Sequence, residues 1–89
     1  TAASSDELNS IAWNFFENVT GKASLEKAVT WAQESVKKSE NYANTDTLAN
    51  LYNKTGDKKN AKLWAEKSIE LAKKSGQDYS DTEKLLNSL

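Results

Sequence analysis

Two serines, Ser35 and Ser68, recur in the stretches AVTWAQESV (28–36) and AKLWAEKSI (61–69). A serine hydroxyl becomes a nucleophile only when a neighbouring base takes its proton. The 89-residue chain has no histidine and no cysteine, so neither the usual base nor a thiolate is present. A lysine base would need a desolvating pocket, and a chain of this length has little interior with which to build one. The Asp and Glu residues are scattered singly, without a converging pair for general acid–base work. Imidazole and thiolate metal ligands and a glycine-rich phosphate loop are missing as well. The expectation is a protein that is not an enzyme and holds no metal and no cofactor.

The charge balance narrows the partners in the same way. Twelve lysines against thirteen acids give a net charge of −1, which is no footprint for a phosphate backbone, so nucleic acid is not expected as a partner. No apolar run approaches the length of about 18 residues that a membrane span requires. Lys58, Lys59 and Lys62 form a small basic patch, read as a solvated face. Asn18-Val19-Thr20 and Asn53-Lys54-Thr55 match the glycosylation acceptor pattern and are read as coincidence. Lack of cysteine leaves the compartment open. The opening TAASSDE carries no basic, apolar leader and no Met, and is expected to be the start of a piece excised from a longer protein.

Helices must position whatever these residues do. Ser4 followed by Glu7 is a capping box, and Leu8, Ile11, Ala12, Phe15 and Val19 follow at helical spacing, predicting a helix over about 5–18. Thr20-Gly21 breaks it, and Ser24 is expected to cap a second helix bearing Leu25, Ala28, Val29, Ala32 and Val36. Asn44 to Asp46 reads as the start of a third, with Leu48, Ala49, Leu51 and Tyr52, ended by Thr55-Gly56. Asp57 then caps a fourth, which carries Ala61, Trp64, Ala65, Ser68, Ile69 and Ala72 until Ser75-Gly76. Ser80 and Glu83 read as a second capping box before Leu85, Leu86 and Leu89. No segment alternates long enough to argue a strand, so the fold class is all-α, a single domain over 1–89.

The doubled tryptophan stretch makes the chain a repeat. Trp31 and Trp64 are 33 residues apart, Ile11-Ala12 and Phe15 align with Leu48-Ala49 and Tyr52, and Gly21 and Gly56 fall in corresponding turns. TLANLYNKTGDKKNAKLWAEKSIEL (47–71) resembles the tetratricopeptide repeat family, with Leu48, Ala49 and Tyr52 at its first-helix positions, Gly56-Asp57 at its turn and Ala61 at its second-helix alanine. Thr45 stands where that family has a tryptophan, and Ala65 and Ser68 replace an aromatic residue and an alanine. The resemblance implies a right-handed superhelix of two helical hairpins, repeat 1 over about 5–40 and repeat 2 over about 44–75, with a capping helix over about 80–89. From LNSIAWNFFENV to the end, the chain also resembles the helical region that follows the thioredoxin-like domain in some bacterial thioredoxin-related proteins. That likeness implies an upstream thiol–disulfide oxidoreductase domain and a periplasmic or otherwise exported setting.

The family resemblance also implies a function, peptide binding on the concave face lined by the first helix of each hairpin. The residues carried onto that face are Asn9, Trp13 and Phe16 from the first hairpin and Asn50, Asn53 and Lys54 from the second. Asparagine amides can hold a peptide backbone while Trp13 and Phe16 take an apolar side chain, or these aromatics pack on a neighbouring helix or domain instead. Asp46 stands where carboxylate-clamping members keep a lysine, so a clamp for a terminal carboxylate is not expected. Trp31 and Trp64 lie on the opposite, packing stripe and are read as fillers between helices. The reading is therefore a non-catalytic module binding a protein, a peptide or its own upstream domain; homodimerisation through Trp13 and Phe16 is the alternative.

Overall fold

The computed structural model describes residues 3–89; Thr1 and Ala2, the first letters of the TAASSDE opening, lie outside the described residues. Five helices follow one another: α1 (Ser5–Asn18), α2 (Lys22–Lys38), α3 (Tyr42–Thr55), α4 (Lys58–Ser75) and α5 (Ser80–Ser88), with no strand among the described residues. The first begins as its sequence dictates. The Glu7 amide donates to Ser4 Oγ at 3.1 Å and the Ser4 amide donates to Glu7 Oε1 at 3.0 Å, and this second bond, with the Ser4 hydroxyl beside it, holds the Glu7 carboxyl below its ordinary pKa.

Three helix starts differ from the sequence reading. Helix α2 opens at Lys22 behind Gly21, with no side-chain cap, because the Leu25 amide already donates to the Gly21 carbonyl at 2.9 Å; Ser24 lies inside the first turn. Helix α3 opens at Tyr42 rather than near Asn44–Asp46. Asn41 is its cap, accepting from the Asn44 amide at 2.9 Å while its own amide donates to Asn44 Oδ1 at 3.0 Å. Helix α5 is not started by a Ser80–Glu83 box: Tyr79 precedes it, and Asp78 Oδ1 takes the Ser80 amide at 3.0 Å and the Ser80 hydroxyl. Those bonds to Ser80 hold the Asp78 carboxyl below its ordinary pKa. Asp57 caps α4 as expected, accepting from the side chain and amide of Asn60, which lowers its pKa.

Helices α3 and α4 end alike. Gly56 (φ 91°) and Gly76 (φ 70°) are left-handed, and the next residues, Asp57 and Gln77, donate back to Tyr52 O (2.8 Å) and Ala72 O (2.9 Å). Both terminal turns are thereby closed.

Each helix packs on its successor, and α1 also lies along α3. Ala12, Ala28, Ala32, Ala49, Ala61 and Ala65 are fully buried, and such small contacts let the axes approach closely. Leu25, Val29, Leu48 and Leu51 fill the space between, with Trp31 and Trp64 half-buried against this core. Phe15 meets Trp31 edge-on, ring centroids 4.9 Å apart.

The two hairpins also share a polar strut. Ser35 Oγ donates to the Ser5 carbonyl at 2.7 Å, and Ser68 Oγ donates to the Tyr42 carbonyl at 3.1 Å. Each buried serine of a second helix thus grips the first residue of the helix before it in the hairpin. The second helices correspond at an offset of 33 residues and the first helices at an offset of 37, as Ser5 and Tyr42 do. The difference is about one helical turn, taken up in the α1–α2 connection and the first turn of α2.

Candidate partner-binding face

Asn9, Trp13 and Phe16 recur at helical spacing, so they form one stripe of α1 on its α3 side. Trp13 and Phe16 are stacked, with centroids 4.8 Å apart and planes 28° from parallel, and both remain half-exposed. From α3, Lys54 crosses to this stripe: its ammonium lies 5.0 Å from the Phe16 ring centroid and donates to the Phe16 carbonyl. A cation over an aromatic face and a stacked ring beside it fix a small amphipathic platform, with Trp13 as its outer tile. Asn9 sits two turns toward the N-terminus, and its buried Oδ1 has no hydrogen-bond partner among the described residues.

The other two candidates are drawn into bonds within α3 and across its turn to α4. Asn50 Nδ2 donates to the Asp46 carbonyl at 2.9 Å and lies 3.3 Å from Asp46 Oδ1. Asn53 Oδ1 accepts from the Lys58 ammonium across the α3–α4 turn. The structure therefore joins Trp13, Phe16 and Lys54 into one cluster, while Asn50 bonds back to its own helix and Asn53 to the start of α4.

Asp46 closes one end of this face. Its Oδ1 accepts from Thr82 Oγ1 of α5 at 2.7 Å, and Thr82, fully buried, also bonds the Tyr42 hydroxyl at 3.0 Å. Burial pushes the Asp46 carboxyl above its ordinary pKa, with the Asp81 charge adding to it and the Thr82 and Asn50 hydrogen bonds opposing it. Helix α5 is thus anchored to α3 through polar contacts as well as packed on α4.

Sequence reasoning missed a second polar centre. Asn44 is fully buried, and its Nδ2 donates to the Ser39 carbonyl at 2.8 Å and Ser35 Oγ at 3.1 Å, with Ser5 Oγ at 3.3 Å. It pins the start of α1, the end of α2 and the start of α3 at one corner. The signal was an Asn-x-x-Asn pair at 41 and 44, a capping box without its usual acid. Ser35 and Ser68, fully buried and donating to main-chain carbonyls, are struts rather than exposed nucleophiles.

A groove of about 530 Å³ lies elsewhere, between α2 and the end of α3, where Gln33 Nε2 donates to the Tyr52 hydroxyl beside Val29 and Asp57. None of the six candidates lines it. No group of three His, Cys, Asp or Glu side chains converges as a metal site among the described residues, and no helix is long and apolar enough to cross a membrane. Comparison with protein-family models, curated proteins and solved structures finds no match.

Proposed function

We propose that the chain is a non-catalytic interaction module, a tetratricopeptide-like right-handed superhelix of two hairpins closed by α5, whose α1–α3 face receives a peptide or protein segment. The observation that carries the reading is the Trp13–Phe16–Lys54 platform. Two large aromatic rings are stacked, one of them beneath a cation and packed on the core, and both keep part of their surface in solvent. Rigid aromatics that keep part of their surface in solvent are what hot spots use, because little side-chain entropy remains to be lost on binding. The repeated serine struts and the α1–α3 contact support the superhelical reading, since they give both hairpins one geometry and set their first helices side by side. By resemblance, the module is appended to a thioredoxin-like oxidoreductase domain in an exported setting and positions a partner or that domain.

A random peptide library displayed on phage and selected on the immobilised domain tests the reading. Selected peptides should lose about tenfold or more in affinity with Trp13→Ala or Phe16→Ala, as expected for a hot spot of about 1.4 kcal/mol or more. Peptides that bind both variants as well as the parent would overturn it. Sedimentation separates the dimerisation alternative: a dimer that Trp13→Ala converts to monomer would replace the peptide reading.

A further inference from the structure

Two large apolar side chains stand out in solvent among the described residues, Ile11 and Leu63, and Leu63 is the more exposed at 57%. It lies in the first half of α4, in a hollow of about 280 Å³ shared with Lys59, Asn60, Lys62 and Glu66. The reason is geometric. Helix α5 has 9 residues and α4 has 18, and α5 starts beside the end of α4, where Lys73 sits 5.5 Å from the Tyr79 ring centroid. At about 1.5 Å per residue, α5 is long enough to cover only about half of α4.

The charge around Leu63 is arranged against the interest of the helix. Lys58, Lys59 and Lys62 occupy the first turns of α4, which have no acidic residue, so they oppose the positive end of the helix dipole. None of the three closes an ion pair, the ones among the described residues being Lys67–Glu40 and Lys74–Glu70, although the Lys59 charge helps to lower the carboxyl of the Asp57 cap. Lys22 reaches the same end of the molecule, lining the groove that Gly56 and Asp57 also line. Asp78, Asp81 and Glu83 gather instead where α5 begins.

We propose that the first half of α4 is a second docking surface, for an acidic amphipathic segment of a partner protein. An apolar side chain of that segment enters the hollow beside Leu63 while flanking carboxylates meet Lys59 and Lys62. Charge complementarity commits the site to this occupant. With Glu66 on the rim the excess of positive charge is small, enough for one or two carboxylates but not for the run of charges on a phosphate backbone, and one leucine offers too little apolar area to hold a lipid surface. The surface is distinct from the Trp13 platform, and the two stand or fall separately.

The test is fluorescence anisotropy on the whole chain with a labelled synthetic peptide carrying Glu and Leu at helical spacing, against the same peptide with every Glu changed to Lys. The acidic peptide should bind and the basic one should not. Reversing Lys59 and Lys62 together to Glu should weaken binding by about tenfold, Leu63→Gln several-fold, and added salt should weaken it too. Trp13→Ala should leave it unchanged. The substituted residues are exposed, and circular dichroism checks that the variants fold. Equal binding of both peptides, or no effect of the lysine and leucine variants, overturns the proposal. So does binding confined to phosphatidylserine vesicles, or sedimentation showing that these residues instead hold two copies of the chain together.

Discussion

Replacing Asn44 with alanine should damage the molecule more than removal of any other single polar side chain. The Asn44 amide donates to the Ser39 carbonyl and to Ser35 Oγ, and Asn44 Oδ1 accepts from the Asn41 amide. Three hydrogen bonds at a net value of about 1 kcal/mol each give a loss of about 3 kcal/mol. Ser35 Oγ keeps its bond to the Ser5 carbonyl and the Ser39 carbonyl still accepts from Asn41 Nδ2, but the Asn41 amide loses its partner, so about 3 kcal/mol is the lower end of the loss. A domain of this length has a total stability of roughly 4 to 13 kcal/mol, so the loss is a large fraction of it. The corresponding fall in Tm is about 12 to 24 °C, read by circular dichroism on heating and checked by urea unfolding. Asn44→Asp separates hydrogen bonding from volume. It keeps the acceptor but removes both donors and buries a charge, so it should be at least as unstable at neutral pH and recover in part when acid restores one donor. An alanine variant within about 1 kcal/mol of the parent would refute the claim that Asn44 holds this corner.

Other perturbations follow from the same contacts. Asp46 is raised in the fold, so its contribution to stability is full below its unfolded pKa and is lost as pH rises through the folded one. Asp46→Asn keeps an acceptor for Thr82 and should stabilise the protein at neutral pH, an advantage that should vanish below about pH 4, measured by urea midpoints across pH. Gly56→Ala should cost about 1 kcal/mol through its positive φ alone, since no atom lies within 4 Å of the added Cβ, whereas Gly21→Ala, with φ −67°, should be neutral or slightly stabilising in the same melts. Deleting residues 79–89 should uncover the second half of α4 and lower Tm by about 5 °C or more, with increased binding of an apolar dye; an unchanged melt would remove the capping role of α5.

Much of this architecture was legible because local chemistry and long-range packing agree. The Ser4–Glu7 box, the Asp57 cap and the glycines at 56 and 76 act within a single turn, and so the limits of α1 and α4 could be read directly. The starts of α2, α3 and α5 could not, because each depended on which of two nearby polar residues would reach a main-chain amide first. Asn41 rather than Asn44 caps α3 since Asn44 is turned inward by bonds to Ser35 and Ser39, contacts that exist only after α1, α2 and α3 meet. On the candidate face, the family resemblance is what selected Trp13 and Phe16, whose helical spacing puts them on one stripe. Spacing had no means of showing that Lys54 would cross to Phe16 while Asn53 turned to Lys58. Helical spacing fixes which face a residue is on; the reach of a long side chain is decided by its neighbours.

The near-neighbour packing of the five helices has a kinetic consequence. Nearly every interface joins one helix to the next along the chain, and α1 with α3 is the longest step between well-packed partners. Closing such short loops costs little entropy before contacts repay it, so the domain should fold on the microsecond-to-millisecond scale typical of helical chains with low contact order. Its weakest boundary is the one crossed by a single short helix. Helix α5 touches α3 chiefly where Thr82 reaches Tyr42 and Asp46, and hydrogen exchange should find its amides opening well before those of α3. The shortest helix would then also be the last to settle and the first to leave.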